Sequence, residues 1–205
     1  MTLKQSLYDD LVHRVQSCSL CSRMGQRKPV LNGSNGSLDS SVVFIAEAPG
    51  RLGADKYGIP LFGDQTGRNF NFFLASANIS RESVFITNAV LCNPRKANGT
   101  NTTPSNSEIR NCCRYLKETI EIIQPKCIVS LGKKALEAIK LIHPLDITLK
   151  RDVGSLLPWN SCHLYPLFHP GPRALIWRSK AQQTEDYRKL SQLIFDQKLP
   201  DSTLF

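Results

Sequence analysis

Four short runs rich in β-branched and other apolar residues recur along the chain. The runs are too continuous for strands with one face in water, because such strands alternate apolar and polar positions. The pattern therefore predicts four buried strands, at residues 41–48, 83–90, 126–132 and 163–169.

Stretches with helical spacing of apolar positions lie between and after these runs, and the segment before Cys18 is also amphipathic. They predict helices at residues 66–78, 104–123, 133–142 and 179–197. Ser105 or Ser107, with Glu108 following, supplies an N-cap for the second of these. Strands that alternate with helices pair in parallel. We therefore expect an α/β fold, a three-layer α/β/α sandwich around a mostly parallel four-stranded sheet.

The length and composition of the chain limit its organisation. With 205 residues, 41% of them hydrophobic, the sequence can bury one good core, and we expect a single domain over residues 1–205. No apolar run is long enough to cross a bilayer, and the N-terminus is too charged for a signal peptide. These features predict a soluble, cytoplasmic protein, which we expect to be a monomer.

The charge is strongly positive, with 26 basic against 17 acidic residues and a formal net charge of +9. Basic residues recur in the predicted loops, among them Arg95, Lys96, Arg173 and Arg178. Such a surplus favours a polyanionic partner such as nucleic acid, although many basic proteins use charge only for solubility.

Seven cysteines are present, an odd number that disulfide pairing in a cytoplasmic protein does not explain. Two of them, Cys18 and Cys21, are separated by only two residues. Metal or cluster binding is therefore the leading interpretation for some of the thiols.

Polar residues follow three of the four predicted strands. Glu47 ends the first, Asn88 the second and His169 the fourth. Ligands of parallel α/β sheets bind at the carboxyl ends of the strands. Each residue alone has a simpler explanation as a cap, a turn residue or a packed histidine. Their convergence on one edge favours a functional site.

Several motifs in order resemble the uracil-DNA glycosylase superfamily, specifically its iron-sulfur branch, families four and five. The motifs are the Cys18/Cys21 pair, EAPG (47–50), GIPLFGDQTG (58–67), TNAVLCNPR (87–95), EIRNCCRYL (108–116), IVSLG (128–132) and HPGPR (169–173). The resemblance runs from Cys18 to about Tyr187. It implies a monofunctional DNA glycosylase that flips out a pyrimidine and hydrolyses its N-glycosidic bond.

The resemblance also implies a cofactor. It assigns a 4Fe-4S cluster to four thiolates, those of Cys18, Cys21, Cys92 and Cys112. Structural zinc and plain buried thiols remain alternatives. Cys113 is adjacent to Cys112, but the spacing to Tyr-Leu selects Cys112. Cys127 is expected in the core, and Cys162 has no assigned role.

The resemblance carries specific roles over to residues of this chain. Glu47 would position the attacking water, and His169 would donate a hydrogen bond to the base O2. Asn88 would read the edge of the flipped base, while Gly50 and Gly63 would let the backbone approach phosphate or sugar.

The segment after His169 is expected to contact DNA. Arg173 and Leu175 are candidates for insertion into the gap that the flipped base leaves, and Arg178 for a phosphate contact.

This chain departs from the family pattern at three places. Leu61 stands where family four has the phenylalanine that stacks on uracil, and Phe62 would point to the opposite side of an extended segment. Gly171 replaces the usual serine of the histidine motif. The loop between Glu47 and Gly58 is longer than in family four and is closer to family five, which lacks the glutamate. A pocket wall formed by Leu61 instead of phenylalanine leaves room for a bulky modified pyrimidine, such as the glucosylated hydroxymethylcytosine of phage DNA.

Two other classes of function are compatible with this fold. A non-catalytic or covalently trapping DNA-binding module would keep the fold and cluster, but only Arg95 and Lys96 supply basic charge in the loop between Pro94 and Pro104. A small-molecule α/β enzyme is disfavoured, because EAPGRLGADKYG lacks a dinucleotide-binding fingerprint.

Overall fold

Five strands form one central sheet in the computed structural model, which describes residues 2–24 and 26–195. The strands are β1 (Val42–Ala46), β2 (Phe85–Asn88), β3 (Cys127–Leu131), β4 (Leu157–Trp159) and β5 (Cys162–Leu167). Their order across the sheet is β2-β1-β3-β5-β4. All pairs are parallel except β4 with β5. The four predicted strands are confirmed as β1, β2, β3 and β5; each is shorter than its predicted run, β2 by half, and β5 begins one residue earlier than predicted.

The predicted four-stranded sheet lacked one strand, β4. This strand has only three residues, one of them Pro158, and pairs with β5 alone at the sheet edge. So short a segment shows no alternation, and proline in a strand is tolerated only where its missing N–H is not needed. Asn160 and Ser161 form the turn to β5, with Asn160 at φ +48° as in tight hairpins.

Helices connect the strands and cover the sheet. They are α1 (Leu3–Gln16), α2 (Ala54–Tyr57), α3 (Gln65–Ser76), α4 (Asn106–Ile123), α5 (Lys133–Ile142), α6 (Leu149–Asp152) and α7 (Lys180–Phe195). The predicted helices are confirmed as α3, α4, α5 and α7, and the predicted positions 196–197 lie outside the described residues. The cap of α4 is Ser105, whose hydroxyl accepts from the Glu108 N–H at 3.3 Å while the Glu108 carboxylate accepts from the Ser105 N–H at 2.7 Å.

Two hydrophobic layers hold the helices against the sheet, and alternate residues of each strand face opposite layers. Ile45 packs with one layer, which contains apolar residues of α1, α4 and α5. Phe44 packs with the other, which contains those of α3 and α7. The three-layer α/β/α sandwich is therefore confirmed. Among the residues that the structure describes, no helix combines the length and the apolar character needed to span a bilayer.

Candidate functional site

The three polar residues predicted to converge do lie at one edge of the sheet. Ala46 of β1 is paired in register with Asn88 of β2, so Glu47 and Asn88 lie at neighbouring strand ends. His169 follows β5, and a Cβ built on Gly132, just beyond β3, would lie 3.1 Å from the His169 Cβ. Parallel pairing thus places a carboxylate, an amide and an imidazole at the carboxyl edge of the sheet, where ligands of such sheets bind.

His169 is half-buried, and its ring is held in one tautomer. Its Nδ1 accepts a hydrogen bond from the Gly171 N–H at 3.0 Å. A neutral imidazole with an accepting Nδ1 carries its proton on Nε2, which is then the donor. Burial lowers the pKa of His169 to about 4, although the charge of Asp64 acts in the opposite direction. The ring is therefore a neutral Nε2 donor at physiological pH.

Glu47 is half-buried, and its backbone oxygen accepts from the Val90 N–H at 3.1 Å. Burial raises the pKa of its carboxyl group above the ordinary value of 4.5, the charge of Lys134 lowers it, and that of Glu137 raises it further. The oxygens of a poorly solvated carboxylate can accept hydrogen bonds from a bound water or stabilise a developing positive charge.

Asn88 is only 2% exposed, yet its side-chain nitrogen makes no hydrogen bond within the described part of the chain. The hydroxyls of Thr87 and Ser130 are likewise buried and without a partner there. Buried polar groups are nearly always paired, so an unpaired amide at a strand end indicates a place for an outside partner. An amide offers both donors and an acceptor, which suits the edge of a pyrimidine.

Asp64 is a further carboxylate at this edge, and the sequence reasoning did not select it. One oxygen accepts from the Gly67 N–H at 2.9 Å and caps α3. The other would lie 2.8 Å from a Cβ at Gly50, so the glycine makes room for this carboxylate. The only sequence signal for Asp64 is that of an N-cap, three residues before Gly67.

The loop before α3 carries the predicted base-binding residues Leu61, Phe62 and Gly63. Leu61 is 8% exposed and packs in the core layer of α3, with its backbone at φ +48°. Phe62 is 40% exposed, and its ring meets that of Tyr57 edge to face at 5.7 Å. Gly63 has φ +84°, and any Cβ there would clash with the Tyr57 ring. Turn geometry and Tyr57 are thus sufficient reasons for glycine at this position.

The long loop after β2 is tied to the segment that follows Glu47. The Asn93 side chain donates to the Pro49 oxygen at 2.5 Å and to Asn101 at 3.1 Å. Arg95 donates to the Asn93 side chain and forms an ion pair with Asp55. These contacts hold the Pro49 loop in place beside the site.

Four cysteines line one small cavity of about 20 Å³ between the end of α1, the end of β2 and α4. They are Cys18, Cys21, Cys92 and Cys112. The Cys112 sulfur accepts from the Leu91 N–H at 3.4 Å, and the Cys21 sulfur from the Asn111 amide at 3.5 Å.

The remaining cysteines lie elsewhere. The Cys113 thiol faces the Ala138 oxygen at 3.8 Å, and Cys127 and Cys162 are buried in β3 and β5.

The donor set of this cavity suits a thiophilic metal group. Burial, reinforced by the other thiolates, raises the pKa of Cys92 and of Cys112 to about 12. These raised pKa values keep the two thiols protonated on their own, so a site of four thiolates would need a cationic group such as an iron cluster or zinc. In the described ranges, no three histidine, cysteine or acidic side chains are close enough together to hold a single metal ion.

An ion pair holds the Cys21 segment against α4. Arg23 donates to both oxygens of Glu108, at 2.8 and 2.5 Å. Burial alone would raise the pKa of Glu108, but the hydrogen bonds from Arg23 and Ser105 outweigh it and lower the pKa. The Glu108 carboxylate therefore both caps α4 and, through Arg23, holds the Cys21 segment in place.

The segment after His169 forms a 3-10 turn at Pro172–Ile176. Arg173 is exposed, whereas Leu175 is half-buried and packs on the core layer of α3 and α7. Arg178 donates to both oxygens of the buried Asp186, each at 2.5 Å. Of the predicted DNA-contacting residues, only Arg173 extends freely from the turn.

We expect the substitution Gly171→Ala to slow the base release that the resemblance implies by roughly ten- to a hundredfold. An added Cβ would lie 2.8 Å from the His169 Nδ1 and displace the ring. Single-turnover rates check this expectation. Gly33→Ala is the matched control, since a Cβ there meets nothing within 4 Å. A Gly171→Ala rate equal to that of the control would show that the ring tolerates displacement.

The fold and the candidate site together define an α/β sandwich protein with a cluster of polar residues at the carboxyl edge of its sheet and a separate four-thiol cavity. The model of the uracil DNA glycosylase superfamily matches residues 34–191, and the chain belongs to this family. The resemblance inferred from the motifs is thereby confirmed, and with it the expected enzyme class, a hydrolase of N-glycosyl bonds.

Curated relatives cover most of the chain. It is 30% identical to a type-4 uracil-DNA glycosylase of Archaeoglobus fulgidus, over 90% of this chain and 92% of the relative. It is 34% identical to a type-4 uracil-DNA glycosylase of Thermotoga maritima, over 83% of this chain and 84% of the relative. It is 27% identical to a type-5 uracil-DNA glycosylase of Pyrobaculum aerophilum, over 80% of this chain and 83% of the relative.

Proposed function

We propose that this protein is a monofunctional DNA glycosylase, a cytoplasmic, single-domain monomer that removes a flipped pyrimidine and leaves an abasic site. The observation that carries the proposal is the buried side-chain nitrogen of Asn88, which has no hydrogen-bond partner among the described residues and lies at the edge shared with Glu47 and His169. The names of the relatives support uracil as a substrate.

The proposed reaction divides the developing charges between two side chains. As the bond between sugar and base breaks, positive charge grows on the sugar and negative charge on the base. Glu47, as the anion, orients water toward the sugar carbon and stabilises its positive charge. The Nε2–H of His169 donates to the base O2, where the negative charge collects. Water adds its oxygen to the sugar carbon, and the departing base takes up a proton.

We propose that Asn88 selects the base. Its paired donor and acceptor match a pyrimidine edge, which is exposed only after the nucleotide leaves the stack. A base without a complementary edge would leave the buried amide unpaired, at a cost of about 1–3 kcal/mol.

For the substrate we propose, more specifically, a modified pyrimidine. Leu61 packs in the core, and the Phe62 ring lies against Tyr57, so neither supplies the buried stacking ring of family four. A glucosylated hydroxymethylcytosine, as in phage DNA, would use the room that this leaves, and the protein would then act in antiviral defence.

Base release separates these substrates. Duplexes carrying uracil, hydroxymethylcytosine or glucosylated hydroxymethylcytosine are incubated with the protein, and the free base is identified by mass spectrometry, with Glu47→Ala as the inactive control. Release of free uracil would support a role in DNA repair, and release of the free glucosylated base would support a role in antiviral defence. Efficient uracil release without any glucosylated product would contradict the finer proposal. A heat- and detergent-resistant adduct without free base would instead establish a covalently trapping module.

We propose that Cys18, Cys21, Cys92 and Cys112 hold a 4Fe-4S cluster. Their arrangement around one cavity and the N–H donor at Cys112 support this assignment. The cluster would supply a cross-link between the α1 end, the β2 end and α4, close to the segment that follows the catalytic edge.

Replacing Cys112 with serine should abolish the visible thiolate-to-iron absorbance and lower the unfolding temperature by several degrees, since a four-ligand site loses one ligand. Absorbance, iron and sulfide content and thermal unfolding provide the readouts. Cys113→Ser is the matched control and should retain the cluster, because Cys113 does not line the cavity. A colourless protein with one zinc per chain would identify a zinc site instead.

A further inference from the structure

Two adjacent lysines begin α5, and their surroundings differ. The Lys133 side chain is 81% exposed, whereas that of Lys134 is 21% exposed. A lysine keeps its ammonium in water unless another part of the protein holds it. The burial of Lys134 therefore indicates that its neighbours fix the position of its charge.

Two acceptors hold the Lys134 ammonium. It donates to the Glu137 carboxylate at 2.7 Å, about one turn further along α5, and to the Asn106 side-chain oxygen at 3.3 Å. Asn106 is the first residue of α4, directly after the Ser105 cap. These two bonds fix the nitrogen between α4 and α5. Since an ammonium has three donors, one is left for a further partner.

The strand pairing brings this ammonium to the carboxyl edge of the sheet. Ile45 of β1 is paired in register with Ser130 of β3. Helix α5 follows β3 directly after Gly132 and packs against β1. Glu47 lies two residues beyond Ile45, and Lys134 lies four residues beyond Ser130. Both side chains therefore belong to the same edge, where ligands of parallel sheets bind.

The charges that act on Glu47 come from α5. Burial raises the pKa of the Glu47 carboxyl group, the charge of Lys134 lowers it, and that of Glu137 raises it further. Asp64, the other carboxylate at this edge, acts on the pKa of His169 instead. Among the described residues, Lys134 is thus the cation that favours the ionised form of Glu47.

We propose that Lys134 is a positioning residue of the reaction, whose ammonium, held by Glu137 and Asn106, keeps the Glu47 carboxylate ionised. The inference deepens the proposed function and rests on it, because it takes Glu47 to act as the anion toward water and the sugar. Glu137 limits the effect, since an ammonium that is partly neutralised acts less strongly on a second carboxylate.

The pH profile of base release from a uracil-containing duplex is the first test. Lys134→Met removes the charge and keeps most of the aliphatic stem. The acid limb of the single-turnover rate should move to higher pH by about 0.5–1, so that the rate below the limb falls about three- to tenfold while the plateau is retained. Lys134→Arg, which keeps a cation, should restore most of the wild-type profile. Lys133→Met is the matched control, because it removes the same charge from the exposed neighbour and should leave the limb in place.

The ionisation of Glu47 can also be followed without any reaction. In isotope-labelled protein, the side-chain carboxyl carbon of Glu47 is the NMR resonance that is missing from Glu47→Gln. Its titration midpoint should rise in Lys134→Met and stay unchanged in Lys133→Met. If Lys134→Met does not fold, Glu137→Gln tests the same balance from the other side, because its midpoint should fall.

An unchanged midpoint together with an unchanged acid limb in Lys134→Met would overturn the inference. Weaker binding to a duplex with a tetrahydrofuran abasic analogue, without any movement of the limb, would also overturn it and make Lys134 a phosphate contact. If the midpoint rises but no base is released from any duplex, the proposed function fails while the charge effect of Lys134 on Glu47 stands. Thermal unfolding of each variant verifies that the fold is intact.

Discussion

Glu47→Gln should lower the single-turnover rate of base release by about 10²–10⁴-fold while DNA affinity changes little. The amide keeps the size of the side chain but cannot act as an anion toward water or the sugar. Burial makes the charged form expensive and so raises the pKa of Glu47, and a charge at this position would serve the proposed chemistry and not folding. The experiment compares rates at saturating enzyme with the affinity for a duplex that carries a tetrahydrofuran abasic analogue, which cannot be cleaved.

The stability of the same variant provides a second readout. A carboxyl group whose pKa is higher in the folded than in the unfolded state favours folding when protonated, so its ionisation at neutral pH costs stability. Glu47→Gln should therefore unfold at the same or a higher temperature at pH 7, and this difference should vanish below the unfolded pKa.

Glu137→Gln is the matched control for Glu47. Its charge raises the pKa of Glu47, so the variant should move the acid limb of the rate profile to lower pH with little change in the plateau. A Glu47→Gln rate within tenfold of the wild type would contradict the assigned role, and Asp64 would be the carboxylate to replace next.

The spacing of apolar residues predicted the fold because each strand and helix is marked by residues close together in the sequence. Each inner strand is a short and mostly apolar run, and Ser105 with Glu108 marks the start of α4 within three residues. The choice of Cys112 over Cys113 also agrees with helix geometry, since Cys112 shares a buried face with Ile109 and Leu116 three and four residues away. Strand β4 escaped prediction because three residues with a central proline carry no period.

The contacts that complete the site could not be predicted, because they join distant segments. Asn93 reaches Pro49 across 44 residues, and Asn69 reaches Pro170 across 101. Asp64 looks like a helix cap in the sequence, and only the fold brings its charge to His169. The same limit applies to the turn after His169, where no pattern in the sequence distinguishes Leu175, which packs against the core, from Trp177, which is exposed.

Replacing His169 with alanine should slow base release by about 10²–10³-fold, the usual effect of removing one preorganised donor to a developing oxyanion. His169→Gln, whose amide retains N–H donors, should recover part of the loss. The pH profile distinguishes a donor from a merely structural residue. With its pKa lowered to about 4, the ring is neutral from about pH 5 upward, so the wild-type rate should show no inflection near 6.5.

Stability should depend on the same group with a defined sign. Between pH 6.5 and about 4, the unfolded chain binds a proton at His169 that the folded chain does not, so stability falls as the pH is lowered through this window. In His169→Gln this slope should be reduced, as thermal unfolding across the window would show. An inflection of the rate near 6.5 that disappears in His169→Gln would mean that the ring acts as an imidazolium, and the neutral Nε2 donor inferred from the Gly171 hydrogen bond would be wrong.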